Sequence, residues 1–129
     1  MLKSQELLIN ANMVLRFVID KVRPYKTKKS NRPAIELTFK CLDGYFKGIY
    51  VWKQVLIAPE NKIEEQKLKV ITSQLIEALE LQTLNWESEE LSDVLCGIPF
   101  CGTVGIEKGK NGYGDKNIIN KIEHVNKYF

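Results

Sequence analysis

Residues 100–125 read FCGTVGIEKGKNGYGDKNIINKIEHV, and this stretch decides the fold. Two alternating apolar segments, 100–107 and 117–125, flank a loop of glycines and lysines with Tyr113 near its tip. Alternation with a period of two puts one face of a segment in a core and the other in water, so the pattern predicts a β-hairpin. The loop itself, residues 108–116, holds Lys108, Lys110 and Lys116 among Gly109, Gly112 and Gly114. It is not a nucleotide-hydrolysing phosphate loop. That motif needs a glycine where Val104 stands and a serine or threonine where Asn111 stands.

Working upstream from the hairpin, Gly97 and Pro99 stop a short helix capped by Ser88 and ending near Leu95. Before it, Leu68, Ile71, Leu75, Ile76 and Leu79 recur at helical spacing, which predicts a helix over residues 64–81. Further upstream the period returns to two. Residues 45–56 form a third strand, with Gly48 marking a bulge. Asp43-Gly44 supplies a hairpin turn. Residues 34–42 form a second strand, with Ile35, Leu37, Phe39 and Cys41 facing the core. Residues 13–22 form the first, with Leu15, Phe17 and Ile19 on one face, and Pro24 ends it because proline cannot donate to a ladder. Three strands, a helix, then two strands is the element order of an OB-fold: mainly β, a five-stranded β-barrel with an α-helix between strands 3 and 4. That domain spans residues 13–126. It is preceded by an N-terminal arm, 1–12, that either holds a short helix around Leu7 and Leu8 or stays mobile, and followed by a short end, 127–129.

With 129 residues the chain is one domain, long enough to bury a core without staples. Cys41, Cys96 and Cys101 are an odd set without framework spacing, which argues against a secreted disulfide scaffold; Cys41 and Cys101 read as small buried hydrophobes. No signal peptide and no membrane-spanning run is visible, so a cytoplasmic location is expected. The net charge of +3 hides a division. Residues 59–93 hold nine acids and three lysines, a net of −6; the rest holds sixteen bases and seven acids, a net of +9. The basic charge belongs to the β-rich parts, as expected of a surface that meets a polyanion.

The basic residues gather around aromatics. Residues 21–32, KVRPYKTKKSNR, read as a loop in which Lys21, Arg23, Lys26, Lys28, Lys29 and Arg32 surround Tyr25. Tyr50 and Trp52 are two apart on one strand and share a face, with Lys40, Lys47 and Lys53 near them in sequence. Whether that face is open or core, periodicity leaves undecided. Cations meet phosphates with salt-dependent affinity, and ring faces stack on bases without reading them, so this set points to a single-stranded nucleic acid. In an OB-fold the ligand lies across strands 2 and 3, flanked by the loops joining strands 1–2 and 4–5, which here are the two basic loops. Catalysis and metal binding find little support: His124 is the only histidine, and Cys96 and Cys101 have no second ligand pair. No cofactor is expected, and the chain does not read as an enzyme.

Four segments, VLRFVIDKVRP at 14–24, KSNRPAIELTFKCLDG at 29–44, IYVWKQVL at 49–56 and CGIPFCGTVGIEKGKNGYGDKNIINKI at 96–122, resemble the small OB-fold single-stranded DNA-binding proteins of bacteriophages and prophages. The resemblance implies coating of single-stranded DNA in phage replication or recombination inside a bacterial host, without sequence preference. It makes the loop lysines, Tyr25, Tyr113, Tyr50 and Trp52 the contact residues. Bacterial relatives end in an acidic tail that recruits partners, whereas this chain ends HVNKYF, so recruitment of replication or recombination proteins by that route is not expected. Two other readings remain. One is an interaction module whose acidic segment, 59–93, docks a basic partner. The other is an RNA-binding OB-fold, which only contacts to the 2′-hydroxyl would distinguish. An open edge strand also offers a second copy a place to pair, as a homodimer.

Overall fold

The computed structural model of the chain describes residues 8–110 and 112–128. Five strands, β1 (Val14–Lys26), β2 (Pro33–Cys41), β3 (Tyr50–Leu56), β4 (Phe100–Glu107) and β5 (Lys116–Glu123), form one antiparallel sheet in the order β3-β2-β1-β4-β5. Two helices, α1 (Lys62–Ala78) and α2 (Leu91–Leu95), lie in sequence between β3 and β4. The closed barrel expected from the element order is not formed. β3 and β5 are the sheet's two edges, and no ladder joins them among the described residues. At this opening α1 lies against both strands. Its Gln74 Oε1 accepts from the Ile122 N–H at 3.0 Å, so a donor on the outer edge of β5 is satisfied by the helix rather than by β3.

The core follows the alternation read from the sequence. Leu15, Phe17 and Ile19 of β1, and Ile35, Leu37, Phe39 and Cys41 of β2, are all buried. Phe100 stacks on Phe17 and meets Phe39 edge-on, with ring centroids 6.2 and 5.6 Å apart. Ile71, Leu75 and Leu79 of the α1 region close the core from the helix side, while Leu68 and Ile76 are half-buried. Asn61 starts α1 by accepting from the Glu64 N–H at 2.9 Å. Trp86, in the connection to α2, is 8% exposed and donates its Nε1–H to Thr72 Oγ1 at 2.8 Å.

Several boundaries differ from the sequence reading. β1 runs through Pro24 to Lys26. It can do so because it pairs with β4 only over Val14–Phe17; beyond that, one edge of β1 carries no ladder, and proline is tolerated on such an edge. The connection between β1 and β2 is therefore only residues 27–32, a turn closed by a backbone bond of 2.9 Å from the Thr27 N–H to the Arg32 carbonyl. Gly48 is not a bulge in a strand: it lies in the β2–β3 connection at φ +90°, and β3 begins at Tyr50. Asp43 does more than turn the chain. It accepts from Arg16 N at 2.8 Å and from Arg16 Nε at 2.9 Å, tying the connection to β1. The second helix begins at Leu91 with Glu90, not Ser88, at its N-cap position; the Ser88 hydroxyl accepts from the Glu90 N–H at 3.1 Å, ahead of the helix. Leu7 and Phe129 lie outside the described residues. Leu8 is not helical, and Ile9 is fully buried. Asn117 holds Ile9 there, accepting from its N–H at 2.8 Å and donating to its carbonyl at 2.9 Å. No helix of the described residues is long and apolar enough to cross a membrane.

Candidate nucleic-acid interface

One irregularity builds the candidate site. The β1–β2 register runs in step from Phe17 opposite Cys41 to Ile19 opposite Phe39, then shifts, so that Lys21 stands opposite Thr38. Asp20 is the extra residue, a β-bulge. A bulge changes the phase of everything after it, because side chains alternate strictly. Without it, Lys21, Arg23 and Tyr25 would share a face with Phe17 and Ile19. With it, they turn to the outer face.

The neighbouring strands supply the rest of that face. Lys21 lies in register with Thr38 and Trp52, and Arg23 with Glu36 and Gln54. Lys40 stands opposite Tyr50. Trp52 is 56% exposed and Tyr50 42%, with ring centroids 6.1 Å apart and planes tilted by 36°. The openness of this face, undecided by periodicity, is thus settled: Val51 and Val55 fill the core side of β3 and the aromatics face out. The Arg23 guanidinium sits 4.7 Å from the centre of the Tyr25 ring and pairs with Glu36 at 3.1 Å. Gln54 donates to the Tyr25 hydroxyl. Lys21 and Lys40 make no ion pair among the described residues, nor do Lys26, Lys28 and Lys29 beyond them.

Two residues of the expected set are placed elsewhere. Lys53 follows Trp52 and so points the other way. It stands opposite Leu37, half-buried beside α1, and burial, with Lys67 nearby, holds its ammonium below the ordinary value. Arg32 is held by carboxylates: Nη2 and Nη1 bond the two oxygens of Glu64 at 2.6 and 3.0 Å, and Glu60 lies 3.5 Å from Nε. The Arg32 guanidinium in turn lowers the Glu64 carboxyl from 4.5 to about 2.

The β4–β5 loop is organised by an acid that the sequence reading passed over. Asp115 accepts from the Gly109 N–H at 3.0 Å and from Lys108 Nζ at 3.2 Å; these bonds lower its carboxyl below the ordinary range. A Cβ at Gly109 would overlap the carbonyl oxygens of Tyr113 and Gly114, so this turn requires glycine. Lys116 pairs with Glu107 at 3.6 Å, while Lys110 makes no ion pair among the described residues and Tyr113 is 80% exposed. This loop and the 27–32 turn are not neighbours along β1. Val14 stands opposite Thr103 at one end of the strand, and the turn follows Lys26 at the other.

Tyr45 is a further exposed aromatic that sequence reasoning assigned to a strand. It sits in the 3-10 turn Gly44–Phe46, 81% exposed, edge-on to Phe46 at 5.3 Å. Its signal was Asp43-Gly44 just before it, which marks a turn rather than a strand. In comparison with known proteins, no family model and no curated protein matches the chain.

Proposed function

We propose that the chain is a sequence-independent single-stranded DNA-binding protein of OB-fold type, serving replication or recombination, with the strand lying across the outer face of β1, β2 and β3. The observation that carries this is the pair Tyr50 and Trp52, exposed side by side, with Lys40 opposite Tyr50, Lys21 in register with Trp52 across Thr38, and no carboxylate paired to either lysine among the described residues. A contiguous exposed aromatic pair is more informative than a single exposed apolar residue, and bases stack on any ring face. The strand order β3-β2-β1-β4-β5 is that of an OB barrel opened between its third and fifth strands, which supports the fold assignment.

The test is fluorescence anisotropy of labelled oligo-dT, with matched duplex DNA and oligo-U as comparisons, at low and moderate salt. Oligo-dT is expected to bind more tightly than duplex, to weaken as salt rises, and to lose affinity in a Lys21→Glu, Lys40→Glu double variant. Tighter binding of oligo-U would reassign the face to RNA. Unchanged affinity in a folded double variant would remove this face from the binding site.

A further inference from the structure

The open side of the sheet forms a second surface, distinct from the aromatic face. Between β3, β5 and α1 lies a cleft of about 740 Å3. Aliphatic side chains, including Leu56, Ile63, Val70 and Ile119, share its lining with lysines and amides, and among the described residues no aromatic side chain lines it. Ile63, Lys67, Val70 and Gln74 recur on one stripe of α1, separate from the stripe of Ile71, Leu75 and Ala78 that enters the core. Ile63 is 70% exposed and Val70 44%, a large apolar exposure for one helix face.

The charge at the cleft runs against its surroundings. Segment 59–93 is acidic, with nine carboxylates to three lysines, yet two of those lysines, Lys62 and Lys67, border the cleft and Lys53 joins them from β3. The one carboxylate in the lining, Glu64, is occupied by Arg32. The β2–β3 ladder is bracketed by Cys41 N to Ile49 O and Ile57 N to Pro33 O. Antiparallel alternation therefore turns the backbone groups of Gln54 and Leu56 toward the open edge.

We propose that this cleft docks an extended segment of a partner protein whose row of side chains facing α1 carries both carboxylates and aliphatic groups. The carboxylates meet Lys53, Lys62 and Lys67, the aliphatic residues fill the stripe of Ile63 and Val70, and the extended backbone meets the unpaired edge of β3. A nucleic acid fits less well, because the walls offer its bases no ring to stack on. This inference does not depend on what the Trp52 face binds.

The test titrates the full chain into two labelled short peptides, one repeating Asp-Asp-Leu-Leu and one repeating Lys-Lys-Leu-Leu, so that each row of the extended chain carries both side-chain types. The aspartate peptide is expected to bind and the lysine peptide not. Lys67→Glu and Val70→Asp, two exposed substitutions whose folding is checked by circular dichroism, should each weaken the aspartate peptide about tenfold and leave oligo-dT binding unchanged. Equal binding of both peptides, no binding of either, or binding untouched by both substitutions would overturn the proposal. So would loss of oligo-dT affinity in Lys67→Glu without peptide binding, which would give the cleft to the nucleic-acid path.

Discussion

Trp52 makes little of the fold, so its substitution separates binding from stability. Its ring is mostly in water, and surface changes of this kind shift stability by about 0.5 kcal/mol or less. A stacked base is worth about 1–3 kcal/mol, so Trp52→Ala should weaken oligo-dT roughly 5- to 150-fold while Trp52→Phe, which keeps a ring, retains most of the affinity. Glu64 is the opposite case, a residue of the fold alone. Its carboxyl is lowered to about 2, so it ionises more readily in the folded chain than in the unfolded one. The stability it adds is fully present above its ordinary value of 4.5 and is lost as pH falls through about 2. In melting experiments the wild type should exceed Glu64→Gln near neutral pH, and the gap should close across that window; a gap independent of pH would sink the Arg32 pairing as its source. The sequence made Arg32 a candidate for phosphate because it sits among five other cations, but Glu64 is 32 positions away and only the fold brings the two together.

At the scale of elements, alternation carried the reading wherever a strand is regular and failed where one is not. β2 was legible side chain by side chain, since Ile35, Leu37, Phe39 and Cys41 need only one phase. β1 was not, because nothing local announces that Asp20 is bulged; the shift shows only against its partner. Pro24 misled for a related reason, as its missing N–H matters only if a neighbour needs it. The docking of Ile9 was likewise invisible, resting on Asn117, 108 positions away. Asn117 also donates to the Gly105 carbonyl at 3.2 Å. Asn117→Ala removes all three bonds and should cost about 1–3 kcal/mol, with the Ile9 amide becoming open to hydrogen exchange. Full protection of that amide in the variant would show that packing alone holds the segment.

Across the whole molecule, the two basic hairpin ends lie at opposite ends of β1, a strand of 13 residues that would span on the order of 40 Å if straight. The element order pointed correctly to the sequence of strands and helices, but not to the opening between β3 and β5, which composition does not encode. If a single strand of DNA engages both ends, Lys28→Glu and Lys110→Glu should each make log affinity less steep in log salt, by about 0.7 for every phosphate no longer neutralised. A slope changed by Lys28→Glu alone would confine the path to the β1–β3 side. The chain's two tryptophans divide along the same lines. Trp86 is enclosed and hydrogen-bonded, while Trp52 faces solvent on the aromatic surface. The molecule therefore carries two separable optical reporters. Iodide should quench the emission of Trp52 and spare that of Trp86, and in a Trp52→Phe chain the remaining emission reports unfolding without responding to a ligand on the outer face.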